Sequence, residues 1–135
     1  MTFIRNIFLL LLISFSASAL AKWDEETGTE VKNGEPIVYY YKVNAEGHKL
    51  VLDKYVKRLI FIQKDKIFKR AIHSIRIDGE LIEAFSDRFV HYPEQTAITF
   101  DNKDEVLKKL FRAKRVEVNV TYHREGEKVS AFQIK

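Results

Sequence analysis

Hydrophobic and polar positions follow two different periods along this chain, and the change of period is sharpest in its last third. Val106, Leu107, Leu110 and Phe111 recur at helical spacing, with Lys103, Lys108, Lys109 and Arg112 on the opposite side, which predicts an amphipathic helix. Asn102 and Glu105 have the spacing of a capping box, and Asp101 offers an alternative cap. Asp104 and Glu105 fall at the positive end of the helix dipole, and Arg112, Lys114 and Arg115 at the negative end. The period then drops to two. Val116, Val118, Val120 and Tyr122 share one strand face, and Glu117, Asn119, Thr121 and His123 the other. A polar stretch around Gly126 predicts a hairpin loop, and Val129 to Ile134 a returning strand with Phe132 and Ile134 on one face. One helix of this length cannot bury its stripe alone, so it is expected to pack across this hairpin and its neighbours.

Upstream, the pattern predicts short strands. Ile37 to Val43 carries three consecutive tyrosines, with Tyr40 on the face of Val38, and Tyr39 and Tyr41 on the face of Ile37 and Val43. His48 to Val56 alternates, with Leu50, Leu52 and Val56 opposing Val51, Asp53 and Tyr55. Leu59 to Ile62 is apolar on both faces, the mark of a central strand covered on both sides. Lys64 to Lys66 reads as a polar turn. Ile67 to Ile75 has both strand character and helix-like spacing through Phe68, Ile72 and Ile75, which leaves a short helix open. Asp78-Gly79 is a strong hairpin signal. Leu81 to Phe85, Arg88 to Tyr92 (ended by Pro93) and Thr96 to Phe100 give three more strands. Lys22 to Pro36 is polar, acidic and rich in turn formers, with Gly28, Asn33-Gly34 and Pro36 as breakers. The fold expected is mainly β, a β-sandwich or strongly curved antiparallel sheet, with one C-terminal α-helix packed on it before a final β-hairpin.

The first residues change the picture from fold to address. Arg5, the apolar run Ile7 to Phe15, and the small-residue patterns Ala17-Ser18-Ala19 and Ala19-Leu20-Ala21 read as an export signal cut after Ala21. The run is short for a bilayer span, which disfavours a retained anchor. Residues 1–21 are therefore expected to be a cleaved signal peptide, and residues 22–135 a single β-rich domain, periplasmic or secreted, with no stable membrane anchor after cleavage. The chain of 135 residues contains no cysteine, so disulfides, thiol chemistry and a lipid-modified cysteine are all excluded. The formal net charge is +4. Lys22 to Gly47 and Ile77 to Glu105 are acid-rich, and the segments between and after them are base-rich. Strands from different segments interleave in a sheet, which mixes these charges.

Chemistry is sparse. His48, His73, His91 and His123 stand at no ligand spacing, so no metal site is encoded locally. Ser74, Ser86 and Ser130 lack the Gly-rich surroundings of a nucleophile turn, and the five glycines form no phosphate loop. Glu80 with Glu83, and Asp101 with Asp104 and Glu105, read as solvated surface and helix capping. No catalytic, cofactor-binding or metal residue is assigned, and the sequence leans against an enzyme. Tyr55, Phe61 and Phe68 with Lys54, Lys57, Arg58, Lys69 and Arg70 form a basic and aromatic mixture. Nucleic acid is a poor fit for an exported protein, whereas an anionic surface polymer or lipid surface suits the same groups.

The pattern Ile75-Arg76-Ile77-Asp78, Phe85, the helix, and Val116-x-Val118-x-Val120-x-Tyr122 leading to Gly126 and Phe132 resembles the exported β-sandwich proteins of the type VI secretion-associated VasI-like and invasion-associated locus B groups. The likeness covers about Ile75 to Ile134, and most of its motifs are core alternation. It departs in lacking the cysteines usual in those groups and their Gly-containing tail. The resemblance implies a small envelope accessory with a sandwich fold and transfers no site. The expectation is a non-catalytic accessory that recognises another envelope protein through a strand edge or an aromatic surface at Trp23, Tyr39 and Tyr41. Ordinary core or rim packing is the competing account of each of these three. The alternative is a periplasmic ligand carrier, or an enzyme with a pocket inside the sandwich.

Overall fold

The structure, a computed structural model, describes residues 22–64, 70–89, 95–122 and 124–135. The expected signal peptide, the turn after Lys64, the end of the Arg88 to Tyr92 strand, His91 and His123 lie outside these residues. The fold is mainly β, as expected, with two antiparallel sheets and one helix before a closing hairpin. Six strands form one sheet in the order β1-β2-β3-β4-β8-β7: β1 (Asp24–Lys32), β2 (Glu35–Val43), β3 (Lys49–Asp53), β4 (Arg58–Ile62), β7 (Phe85–Phe89) and β8 (Gln95–Phe100). Four form the other in the order β10-β9-β5-β6: β5 (Arg70–Ile77), β6 (Glu80–Ile82), β9 (Arg115–Tyr122) and β10 (Gly126–Gln133).

Both sheets feed one core. Leu50, Leu52, Leu59, Phe61 and Ile98 point inward from the larger sheet, and Ile75, Val116, Val118, Val120 and Phe132 from the smaller. The Phe61 and Phe132 rings meet edge to face across the two sheets, with centroids 6.3 Å apart. Helix α1 (Lys103–Arg112) carries the chain from β8 to β9 and adds Val106 and Leu110 to this core. Its contacts also reach the larger sheet and the chain before it. Phe111 meets Tyr40 of β2 edge to face at 5.1 Å, and the indole of Trp23 donates to the Leu110 carbonyl. The capping box does not form. Asn102 occupies the cap without a side-chain hydrogen bond, and Asp104, in the first turn, accepts from Lys57.

Several strand boundaries also move, each for a physical reason. The acidic stretch before Pro36 is the edge strand β1, turned into β2 by Asn33-Gly34, both with positive φ (54° and 79°) as a two-residue type I′ hairpin requires. Asp78-Gly79 makes the same turn between β5 and β6, as its dipeptide predicts (φ 51° and 83°). Leu81 to Phe85 is not one strand: the chain leaves the smaller sheet after Ile82 and enters the larger at Phe85. The helix-like spacing of Ile72 and Ile75 belongs to strand β5. A bulge between Ile72 and Ser74 shifts the register by one residue, so both isoleucines face the core. His48 to Val56 ends as a strand at Asp53, and Val56 is exposed in the following turn.

Candidate functional site

The alternation of β2, β3 and β4 sends one set of side chains into the core and the other to the outer face of the six-stranded sheet. Cross-strand pairing fixes that outer set in rows. Tyr41, Val51, Ile60 and Ala97 stand side by side; next to them lie Asp53 opposite Arg58, and Ile62 opposite Gln95. The expectation of a strand covered on both sides therefore holds for only one face of β4. Leu59 and Phe61 are fully buried inside. Ile60 and Ile62 are only half-buried, and they line an open groove of about 710 Å³ with Ile37, Tyr39 and Val51.

The groove's rim is built by local chemistry. Asp53 Oδ1 accepts from the amides of Tyr55 (3.0 Å) and Val56 (3.3 Å), an Asx turn that reverses the chain without glycine or proline. Lys57 completes the turn with φ 55°. The turn holds up Tyr55 and Val56, two of the exposed large apolar side chains, beside the groove. On the opposite side Tyr39 lies over Gly28. A Cβ at that glycine would stand 2.6 Å from Tyr39 Cε2, so the missing side chain is what lets the ring settle on the edge strand.

Of the three residues expected at a contact surface, Tyr39 and Tyr41 do share this outer face. Tyr39 lines the groove. Tyr41 lies beside it under the Lys49 ammonium, 4.6 Å from the ring centroid, and Lys49 in turn pairs with Glu26 at 3.1 Å. Trp23 does not join them. Its ring is in the core, 6% exposed, and its Nε1 is bonded to Leu110 O, so the indole is no part of that surface.

The basic and aromatic mixture is divided in the same way. Phe61 is in the core, Tyr55 and Arg58 line the groove, and Lys57 bonds Asp104 at 2.7 Å. Arg58 stands apart. It is half-buried, it enters none of the ion pairs among the described residues, and its Nε is closed to solvent without a hydrogen-bond partner. The sequence shows Arg58 as one basic residue among several; what singles it out is its cross-strand position, which only the register supplies.

The two described histidines do not converge. His48 is buried at the start of β3, where Nδ1 accepts from the Lys64 amide (3.1 Å) and Nε2 faces Glu46 (3.4 Å). His73 sits at the β5 bulge near Glu127. Among the described residues no group of three or more His, Asp or Glu side chains is placed to hold a metal ion. No described helix is long and apolar enough to cross a membrane. Asp78, from the segment that carried the family likeness, has a structural task. Its Oδ1 accepts from the amides of both Lys114 and Arg115 at 2.9 Å, tying the β5–β6 turn to the chain between α1 and β9.

Comparison with models of known protein families found no match, and comparison with curated proteins and with solved structures found none either.

Proposed function

We propose that this chain is a small exported, non-catalytic accessory protein of the bacterial cell envelope, which recognises another envelope protein through the outer face of its six-stranded sheet. The observation that carries this reading is the apolar outer face of β3 and β4. Val51, Ile60 and Ile62 belong to central strands, yet they line an open groove bordered by Tyr39. Central strands bury such residues under a second layer when the fold supplies one. An apolar, aromatic surface that no described element covers has the usual character of a recognition face.

The rival reading, a carrier with its pocket between the sheets, draws less support, because large side chains such as Phe61, Phe132, Leu50 and Leu59 fill that space. The N-terminal pattern supports export, and mass spectrometry of the periplasmic fraction is expected to find a mature chain beginning at Lys22.

The contact itself is tested by placing a photo-crosslinking amino acid at Tyr39, at Tyr41 and at Val129, which is exposed on β10 of the other sheet. The expected result is one discrete adduct from positions 39 and 41 and none from 129. Equal labelling from all three, or none from the tyrosine positions, overturns the proposal.

A further inference from the structure

Each of the two sheets ends in two edge strands, and three of these four edges are guarded. β6 is three residues long. β7 is five residues long and carries Asp87 and Arg88. β1 is charged at Asp24, Glu25, Glu26, Glu30 and Lys32, and a bulge breaks its register between Thr27 and Val31. Shortness, charge and bulges are the devices that keep a sheet edge from adding another strand. β10 differs. It is eight residues long and pairs residue for residue with β9. Its charges, Glu127 and Lys128, stand at one end, and the run from Val129 to Gln133 has none.

Alternation fixes which backbone groups that edge presents. The Ile134 amide donates to the Lys114 carbonyl at 2.9 Å, one step beyond the Gln133–Arg115 pair. Bonded and non-bonded pairs alternate along an antiparallel ladder, so Gly126, Lys128, Ser130 and Phe132 bond towards β9. Glu127, Val129, Ala131 and Gln133 turn their N–H and C=O groups away from it, and no described strand takes them up. Val129, in the middle of this edge, is 52% exposed.

We infer that β10 pairs antiparallel with β10 of a second copy of this chain, across a two-fold axis at Ser130. This register engages all four outward residues. Glu127 meets Gln133 of the second copy and Val129 meets its Ala131, for about eight backbone hydrogen bonds. The register is also self-complementary in charge. Glu127 lies opposite an amide side chain and diagonal to Lys135 of the second copy, Lys128 lies opposite Phe132, and no like charges face each other. The joined sheet has eight strands and ends in the short β6 on both sides, so association through this edge stops at two copies.

The test follows the purified protein through a dilution series by sedimentation velocity and amide hydrogen exchange. The expected result is a monomer–dimer equilibrium in which the amides of Val129, Ala131 and Gln133 gain protection with concentration. Those of Ser130 and Phe132 should be protected throughout by β9. Val129→Pro removes an outward N–H and no bond to β9, so it should fold as the parent does and weaken the dimer by about tenfold or more. If that variant does not fold, Val129→Lys carries the same test, because it sets two ammonium groups diagonal to each other across the axis. A monomer at every concentration, a dimer whose protection maps to β1, β7 or the tyrosine face, or a dimer indifferent to the substitution overturns the inference. The pairing leaves Tyr39 and Tyr41 open on the other sheet, so it stands or falls separately from the proposed envelope contact. Position 129 still yields no adduct with a foreign protein, and a cross-link there that joins two copies bears on the β10 edge alone.

Discussion

The indole Nε1 of Trp23 donates to the carbonyl oxygen of Leu110 at 2.9 Å, joining residues 87 positions apart inside the core. The acceptor lies in the last turn of α1 and also accepts from the Ala113 amide at 3.2 Å. One side chain thus both fills space under the helix and adds a second donor at its end.

Replacing that side chain should separate the two roles. Trp23→Phe keeps most of the ring and loses the donor, for an expected cost of about 1–2 kcal/mol. Trp23→Ala also opens a cavity and should cost about 3–5 kcal/mol. Urea unfolding followed by circular dichroism checks both, and a Trp23→Phe variant as stable as the parent would show that the hydrogen bond contributes nothing.

Asp78 holds two amides with one oxygen while its backbone is at φ 51°. Asn keeps the oxygen and tolerates the left-handed conformation, whereas Ala keeps neither advantage. Asp78→Asn should therefore unfold within about 1 kcal/mol of the parent, and Asp78→Ala should lose about 2–3 kcal/mol. Hydrogen exchange at the Lys114 and Arg115 amides should quicken only in the Ala variant.

Gly28 and Tyr39 make a coupled pair. Gly28→Ala brings its methyl group against the Tyr39 ring and should cost about 1–2 kcal/mol. The same substitution made in a Tyr39→Ala background should cost less, since the ring is gone and only the Ile37 carbonyl oxygen, 3.3 Å from the new Cβ, stays close. A double-mutant cycle with a coupling energy below about 0.5 kcal/mol would disprove the contact.

Asp104 reports the tie between α1 and the β3–β4 turn. The hydrogen bond from Lys57, and then the charge of Lys57, hold its carboxyl below the ordinary value of 3.8. A depressed folded-state pKa means that the stabilisation is present above pH 3.8 and is lost as the pH falls through the folded value. Lys57→Met should raise the Asp104 pKa toward 3.8, as read by carbon NMR of the carboxylate. An unchanged titration would show that the pair is absent in solution.

Much of this fold is legible where a residue's neighbours in sequence decide its fate. Val116, Val118, Val120 and Tyr122 alternate without interruption, and all four are buried. Asn33-Gly34 and Asp78-Gly79 turn as their dipeptides dictate, although the strand before Asn33 hid behind its polar composition, as an edge strand's can. What escapes the sequence depends on distant partners or unusual backbone. The bulge at β5 disguises a strand as a helical spacing. The 54–57 turn relies on an aspartate side chain and a lysine in the left-handed region, not on glycine. For the candidate site, alternation placed Tyr39 and Tyr41 together, but the position of Arg58 opposite Asp53 follows from the register of β4 against β3.

The strand order has a consequence for how the molecule comes into being. β5 and β6 belong to the smaller sheet, yet they fall in sequence between β4 and β8, which pair within the larger. A nascent chain that has produced the first four strands must leave one flank of β4 unsatisfied until Gln95–Phe100 emerges, while β5 waits in turn for β9. Pairings over such separations form slowly beside local hairpins. The larger sheet is complete only once β8 has formed and the smaller only once β10 has, so no cut in the chain divides it into halves that mature independently.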